Sequence, residues 1–184
     1  MEGKALISLL KERNYSNITN LEQSEPDLAD FSALEAYFNT THPEYIFLMA
    51  GQSGGIKANQ EMPATLMLDN LLIDCNVIRI AHNHRVKKLL YVASSCVYPK
   101  HTDQPMSPDM LMTGILEPTN SAYATAKLAG IELCGAYRKE YGDNFISVMP
   151  NNLYGPNDNF DLDTSHVIPA LLRKFHEANL NGTK

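Results

Sequence analysis

The sequence has no tryptophan and only three cysteines, Cys75, Cys96 and Cys134. An odd count without CxxC spacing argues against a disulfide framework or a cysteine-built zinc site, and it fits a reducing, cytoplasmic setting. Clustered positive charge is also missing. Fifteen Lys and Arg stand against 21 Asp and Glu, for a net charge of −6. Such a chain offers no basic footprint for nucleic acid or for an anionic membrane surface. No apolar run approaches the roughly 18 residues that span a bilayer, and the first residues carry no signal-peptide hydrophobic stretch. None of the ten glycines falls into GxGxxG or GxxGxxG spacing.

What remains is an ordinary globular composition, 44% apolar and 20% charged over 184 residues, about one domain's worth. The chain reads as alternating helices and strands. An amphipathic helix is predicted over 4–13, a weak strand over 16–21, and a helix over 31–40 capped by Asp30 and halted before Pro43. The run from Tyr45 to Ala50 is continuously apolar, the mark of a strand buried on both faces. A long helix over 63–83 accepts Pro63 in its first turn. Residues 88–94 form a second apolar strand. The stretch 96–119 holds Pro99, Pro105, Pro108 and Pro118 without a regular period, and loops this long are more often functional than idle. A helix capped by Asn120 or Ser121 ends by Gly142. Residues 145–149 make a third strand and 167–178 a last helix.

Alternating strands and helices predict a parallel sheet. In such sheets the site lies beyond the carboxyl ends of the strands, here 50–56, 93–98 and 149–155. The helix at 63–83 carries two apolar stripes. One holds Ala64, Leu68, Leu71, Cys75 and Ile78, and the other Leu66, Ile73, Val77 and Ile80. One stripe can cover the sheet, and a twofold partner helix would cover the second, so a homodimer is expected.

Tyr123 and Lys127 are the sharpest chemical signal. Four residues apart on a helix, they share one face. A free phenol titrates near pH 10, and a neighbouring ammonium favours the phenolate, so such a pair can move a proton to or from a carbonyl or alcohol oxygen. Alone, the spacing also fits a surface tyrosine over a lysine stem. Ser94, Ser95 and Cys96 end the second strand. His166 precedes the last helix, and the glycines at 51, 54 and 55 would allow close approach of a ligand to the backbone.

Taken in order, these segments carry a resemblance. They are 50–56, 94–100, 116–120 with Tyr123 and Lys127, 149–160, and 165–178. Together they make the chain resemble the extended short-chain dehydrogenase/reductase family of NAD-dependent epimerases and dehydratases. Within it, the resemblance is to the branch that epimerises C3 and C5 and reduces C4 of a GDP-linked 4-keto-6-deoxy sugar. The resemblance implies an α/β Rossmann-like parallel sheet with helices on both faces, lacking the first strand and most of the Gly-rich turn. It implies NADP(H) as cofactor, a GDP-sugar as substrate and a homodimer. Cys96 and His166 would exchange protons at C3 and C5. Tyr123 would protonate the C4 oxygen, Lys127 would lower the Tyr123 pKa and bind the nicotinamide ribose, and Ser94 would hold the C4 oxygen. Gly3, Val92, Ala93, Ser94, Ser95, Lys127, Pro150, Asn151, Asn152, Leu153 and His166 would line the cofactor. Lys174 would meet substrate phosphate where the family usually has arginine, keeping the charge without the bidentate geometry.

Departures from the family pattern are expected to matter. Gly3 would be the last glycine of the phosphate turn. The 20–28 segment, where an arginine would read a 2′-phosphate, holds no Arg or Lys. Residues 1–184 read as an incomplete dinucleotide-binding domain, truncated at both ends, with 157–184 starting the otherwise missing substrate lobe. Two other readings stay open: a related sugar-nucleotide 4-epimerase, and a non-catalytic fragment that acts as an interaction module.

Overall fold

The computed structural model describes residues 1–21, 26–162 and 164–182. Three parallel strands, β1 (Tyr45–Leu48), β2 (Lys88–Val92) and β3 (Phe145–Val148), form one sheet in the order β1-β2-β3. The register sets Ile46 beside Leu89, Leu48 beside Tyr91, and Leu89 beside Phe145. Alternate residues share a face, so Ile46, Leu48, Leu89, Tyr91 and Phe145 point the same way. Helices α4 (Pro63–Asn83) and α5 (Ser121–Tyr141) connect the strands. Two right-handed crossovers stepping in one direction put both helices on that same face. The core forms there, with Leu34 and Phe38 of α2 (Phe31–Thr41) packed beside Val77, Ile78, Ile80 and Ala81 of α4.

Helix boundaries follow local chemistry. Asp30 caps α2, its carboxylate accepting from the Ser32 and Ala33 amides at 2.8 and 3.1 Å. Pro63 opens α4, and Gly142 closes α5 in the left-handed conformation at φ 78°, which glycine adopts without strain. The outermost helices are α1 (Glu2–Glu12), with no buried residue, and α6 (Val167–Asn181), which buries only Pro169. A short helix α3 (Ile56–Glu61) follows the glycine turn after β1.

Three expectations change. The weak strand over 16–21 does not form. A strand exists through its ladder, and among the described residues this segment pairs with none of the three strands. Burial of β1 on both faces holds for one face only: Tyr45 and Phe47 are 59% and 45% exposed at the border of the described sheet. On α4, Leu66, Val77 and Ile80 are buried against the sheet as anticipated, but Ile78 is buried as well. Of the outward stripe, Ala64, Leu68 and Cys75 are exposed and Leu71 is half-buried, while Leu72, outside the expected set, is exposed beside them. Within the 20–28 segment noted for its lack of cations, residues 22–25 lie outside the described residues.

Candidate active site

The carboxyl ends of the strands deliver three turns to one edge of the sheet. After β1, the turn at 50–55 is held from below by two asparagines. Asn59 of α3 donates to the Gly54 and Gly55 carbonyls at 2.8 and 3.1 Å, and Asn70 of α4 donates to the Gln52 carbonyl at 2.9 Å. Gly51 is required by close approach: a Cβ there would lie 2.6 Å from Asn70 Oδ1 and 3.1 Å from Lys127 Nζ.

After β2 the chain turns through a 3-10 segment, Ser95–Val97, started by Ser94, whose hydroxyl accepts from the Cys96 amide at 3.3 Å. The Ser94 hydroxyl also faces the Tyr123 phenol at the start of α5, near enough to ease its ionisation. Cys96, half-buried, has its Sγ 3.2 Å from the Asn120 side-chain amide, which donates to it. Asn120 Oδ1 is buried without a partner. Ser94, Cys96, Asn120 and Tyr123 thus form one connected cluster.

The phenol of Tyr123 is pushed up to about 12. Burial is the main cause and the neighbouring Cys96 adds to it, while the Ser94 hydroxyl opposes them. Lys127 is not among the groups that move this phenol. Lys127 is 3% exposed, and its ammonium lies 3.3 Å from the Asp74 carboxylate, so its charge is already compensated. Burial pulls Lys127 below the usual lysine range and Asp74 opposes this. At neutral pH Tyr123 therefore keeps its proton.

The remaining sequence candidates sit around this cluster. Ala93 is buried, its amide bonded to the Val148 carbonyl at 2.9 Å, and Val92 is half-buried. Pro150 follows β3, with Asn151, Asn152 and Leu153 exposed beyond it. His166 caps α6 by position, is exposed, and makes no side-chain cap bond. The residue before it reaches the glycine turn, the Ser165 carbonyl lying 3.4 Å from a Cβ built on Gly55. Gly3 lies in the first turn of α1 with open space around it, and Lys174 is exposed on α6. The structure brings Ser94, Cys96, Tyr123 and Lys127 to one place; it leaves His166, Gly3 and Lys174 outside the hydrogen-bonded cluster.

The sequence pattern of the NAD dependent epimerase/dehydratase family matches residues 1–183. The chain belongs to this family. It is 48% identical over 182 residues to GDP-L-fucose synthase 1 of Arabidopsis thaliana, covering 99% of this chain and 56% of that protein. Two solved structures superpose closely. One is a GDP-mannoheptose C4 reductase of Campylobacter jejuni with NADP bound, 39% identical, TM-score 0.89, covering 97% of this chain and 53% of that one. The other is a GDP-L-fucose synthetase of Naegleria fowleri bound to NADP, 32% identical, TM-score 0.90, covering 98% and 56%. The chain spans about half the length of the curated relatives it matches.

Sequence reasoning missed Asn59, Asn70, Asp74 and, as a partner of Cys96, Asn120. Asn70 and Asp74 were detectable. They stand one helical turn apart on the buried stripe of α4, where a polar residue needs a partner.

Proposed function

We propose that this chain is the cofactor-binding and proton-transfer part of an NADPH-dependent GDP-sugar epimerase-reductase. The reaction is 3,5-epimerisation and 4-reduction of GDP-4-keto-6-deoxy-D-mannose to GDP-L-fucose. The observation that carries the proposal is the cluster of Ser94, Cys96 and Tyr123 at the carboxyl end of β2, with Tyr123 held protonated. The names of the relatives point to the same class of GDP-sugar chemistry.

The nicotinamide-ribose end of NADP(H) fits the residues present. Gly51 leaves a cradle that a Cβ would fill, flanked by the buried, unpartnered Asn70 Oδ1 and by the Lys127 ammonium. Lys127 would hold the ribose, with Val92, Ala93, Ser95 and the 150–153 backbone lining the ring. When bound, the cofactor supplies hydride to the C4 carbon. Cys96 takes a proton at C3 or C5, where the adjacent ketone acidifies the C–H bond, and His166, next to the Ser165 carbonyl at the glycine turn, delivers one to the opposite face. Tyr123 donates its proton to the C4 oxygen, and Ser94 orients that oxygen. Lys174 meets substrate phosphate. Residues 1–184 act as the dinucleotide-binding domain, and 157–184 open the substrate lobe.

Two copies pair through the exposed Ala64, Leu68, Leu72 and Cys75 stripe of α4, in a cytoplasmic homodimer. No helix among the described residues is long and apolar enough to cross a membrane.

The test is a pair of assays on the 4-keto sugar nucleotide. Solvent-deuterium incorporation at C3 and C5 should depend on Cys96 and persist in Tyr123→Phe, whereas NADPH oxidation should disappear in Tyr123→Phe. NADPH oxidation that survives Tyr123→Phe, or exchange that survives Cys96→Ser, overturns the assignment. Turnover without net NADPH consumption would point to a 4-epimerase instead.

A further inference from the structure

Beneath Lys127 lies a buried polar group that the chemistry above does not use. Asp74 of α4 is 1% exposed and Tyr91 of β2 is fully buried. The Tyr91 hydroxyl donates to Asp74 Oδ2 at 2.6 Å. Lys127 Nζ lies 3.3 and 3.4 Å from the two Asp74 oxygens and 5.1 Å from the centre of the Tyr91 ring. Room for Tyr91 comes from Gly130 on α5, where a Cβ would lie 2.4 Å from the tyrosine oxygen. The carboxylate is thus fixed from the sheet by a neutral donor, and the ammonium meets it from the facing helix.

The ionisable groups around this pair are Tyr91 on β2, Tyr123 and Cys134 on α5, and Cys75 on α4. Burial pushes Tyr91 far up, Tyr123 up to about 12 and Cys134 up to about 11, and it also raises Cys75. These groups are neutral at physiological pH. Burial raises Asp74 as well, opposed by the Lys127 charge and by the hydrogen bonds from Tyr91 and Lys127, so Asp74 is the one group among them that faces Lys127 as an anion. An ammonium at this depth keeps its proton only with a compensating charge, and buried lysines without one titrate as low as about pH 5–6.

We propose that Asp74 is a positioning residue for Lys127: its carboxylate, fixed by the Tyr91 hydroxyl, keeps the ammonium charged and parked beside the Gly51 backbone. The proposal rests on the reading of Lys127 as the residue that binds the cofactor ribose. Asp74 touches neither cofactor nor substrate and acts through Lys127 alone.

The experiment follows Lys127 directly, by the Cε chemical shift of isotope-labelled lysine in the full chain, assigned with Lys127→Met, alongside NADPH titration at several pH values. Wild type should show a Lys127 signal that stays in the charged form across neutral pH, with pH-independent NADPH affinity there. Asp74→Asn preserves the shape and can still accept from Tyr91. It should bring the Lys127 transition to about pH 7 or below. Above that midpoint its NADPH affinity should fall by about tenfold per pH unit. Asp74→Glu should restore the charged signal. An Asp74→Asn signal that stays charged to the same pH as wild type overturns the proposal. If Asp74→Asn does not fold, Tyr91→Phe leaves the carboxylate but unfixes it, and must move the signal in the same direction by less; no movement overturns the proposal equally. A lysine signal that shifts in a protein that never binds NADPH would support the Asp74–Lys127 coupling while overturning the cofactor reading.

Discussion

Asn120 donates its side-chain amide to the sulfur of Cys96 at 3.2 Å, and in doing so leaves α5 without a side-chain cap at its first turn. An asparagine in this position normally accepts from the helix amides. Here the residue is spent on the loop instead. A donor aimed at the sulfur restrains where the Cys96 side chain can point.

Asn120→Ala removes that restraint and should therefore change the rate of Cys96 alkylation by iodoacetamide several-fold. Asn120→Asp, which places a carboxylate against the sulfur in place of a donor, should slow it. Peptide mass spectrometry separates Cys96 from the exposed Cys75 and buried Cys134. Because no cap bond is lost, Asn120→Ala should also escape the roughly 1 kcal/mol penalty of an ordinary cap deletion. Equal alkylation rates in all three proteins would show that Asn120 does not act on the thiol.

Asp30 makes the opposite choice. Its carboxylate accepts from two backbone amides at the start of α2, and Leu34 and Phe38 of that helix enter the core. Asp30→Ala should cost about 1 kcal/mol in urea unfolding, while Asp30→Ser, another good cap, should recover most of it. A midpoint unchanged in Asp30→Ala would mean that tertiary packing alone holds the helix.

The contrast between Asp30 and Asn120 marks what sequence can disclose. Both stand before a helix in the same pattern, and only the loop that carries Cys96 decides which one caps. Helix α4 was legible to the residue, because Pro63 fixes its start and apolar residues recur at helical spacing to its end, interrupted only by the buried Asn70 and Asp74. Helix α3 was not. Six residues without a period are held by Asn59 reaching back to the glycine turn, a tertiary device. The 16–21 segment has the composition of a weak strand but no ladder to join, and pairing is not a local property. The Tyr123 and Lys127 pair was visible in its spacing, yet its electrostatics were not. The partner that cancels the lysine charge is 53 residues away in sequence, and only the packing of α4 on α5 brings it there.

Gly130 tests that packing. A methyl group at this position would lie 2.4 Å from Tyr91 Cζ and Oη and 2.7 Å from Cε1, and Tyr91 is fully buried with no room to retreat. Gly130→Ala gains helix propensity, but overpacking of this severity dominates. It should lose about 3 kcal/mol or more. Thermal and urea unfolding would report it. Gly135 lies on the same helix with open space around it; Gly135→Ala should instead be neutral or stabilising by about 1 kcal/mol. Equal effects at the two positions would contradict the close seat of Tyr91 on α5.

The alkaline limit of the fold should be set in part by the phenols beneath the site. A free tyrosine ionises near pH 10, whereas Tyr123 in the folded chain is held up to about 12, chiefly by burial. Tyr91 is pushed in the same direction by burial and by Asp74. The folded values lie above the unfolded one. This contribution to stability is therefore complete below about pH 10 and is lost as pH rises through about 12. Unfolding free energy should decline over that window, and Tyr123→Phe should flatten part of the decline. The phenolate absorbance of the native chain, compared with that of Tyr123→Phe, should show one phenol that ionises near pH 12 or only as the chain unfolds. A phenol missing from the variant but titrating near pH 10 would mean that Tyr123 is solvated, and the claim that burial holds its proton into the alkaline range would lose its physical basis.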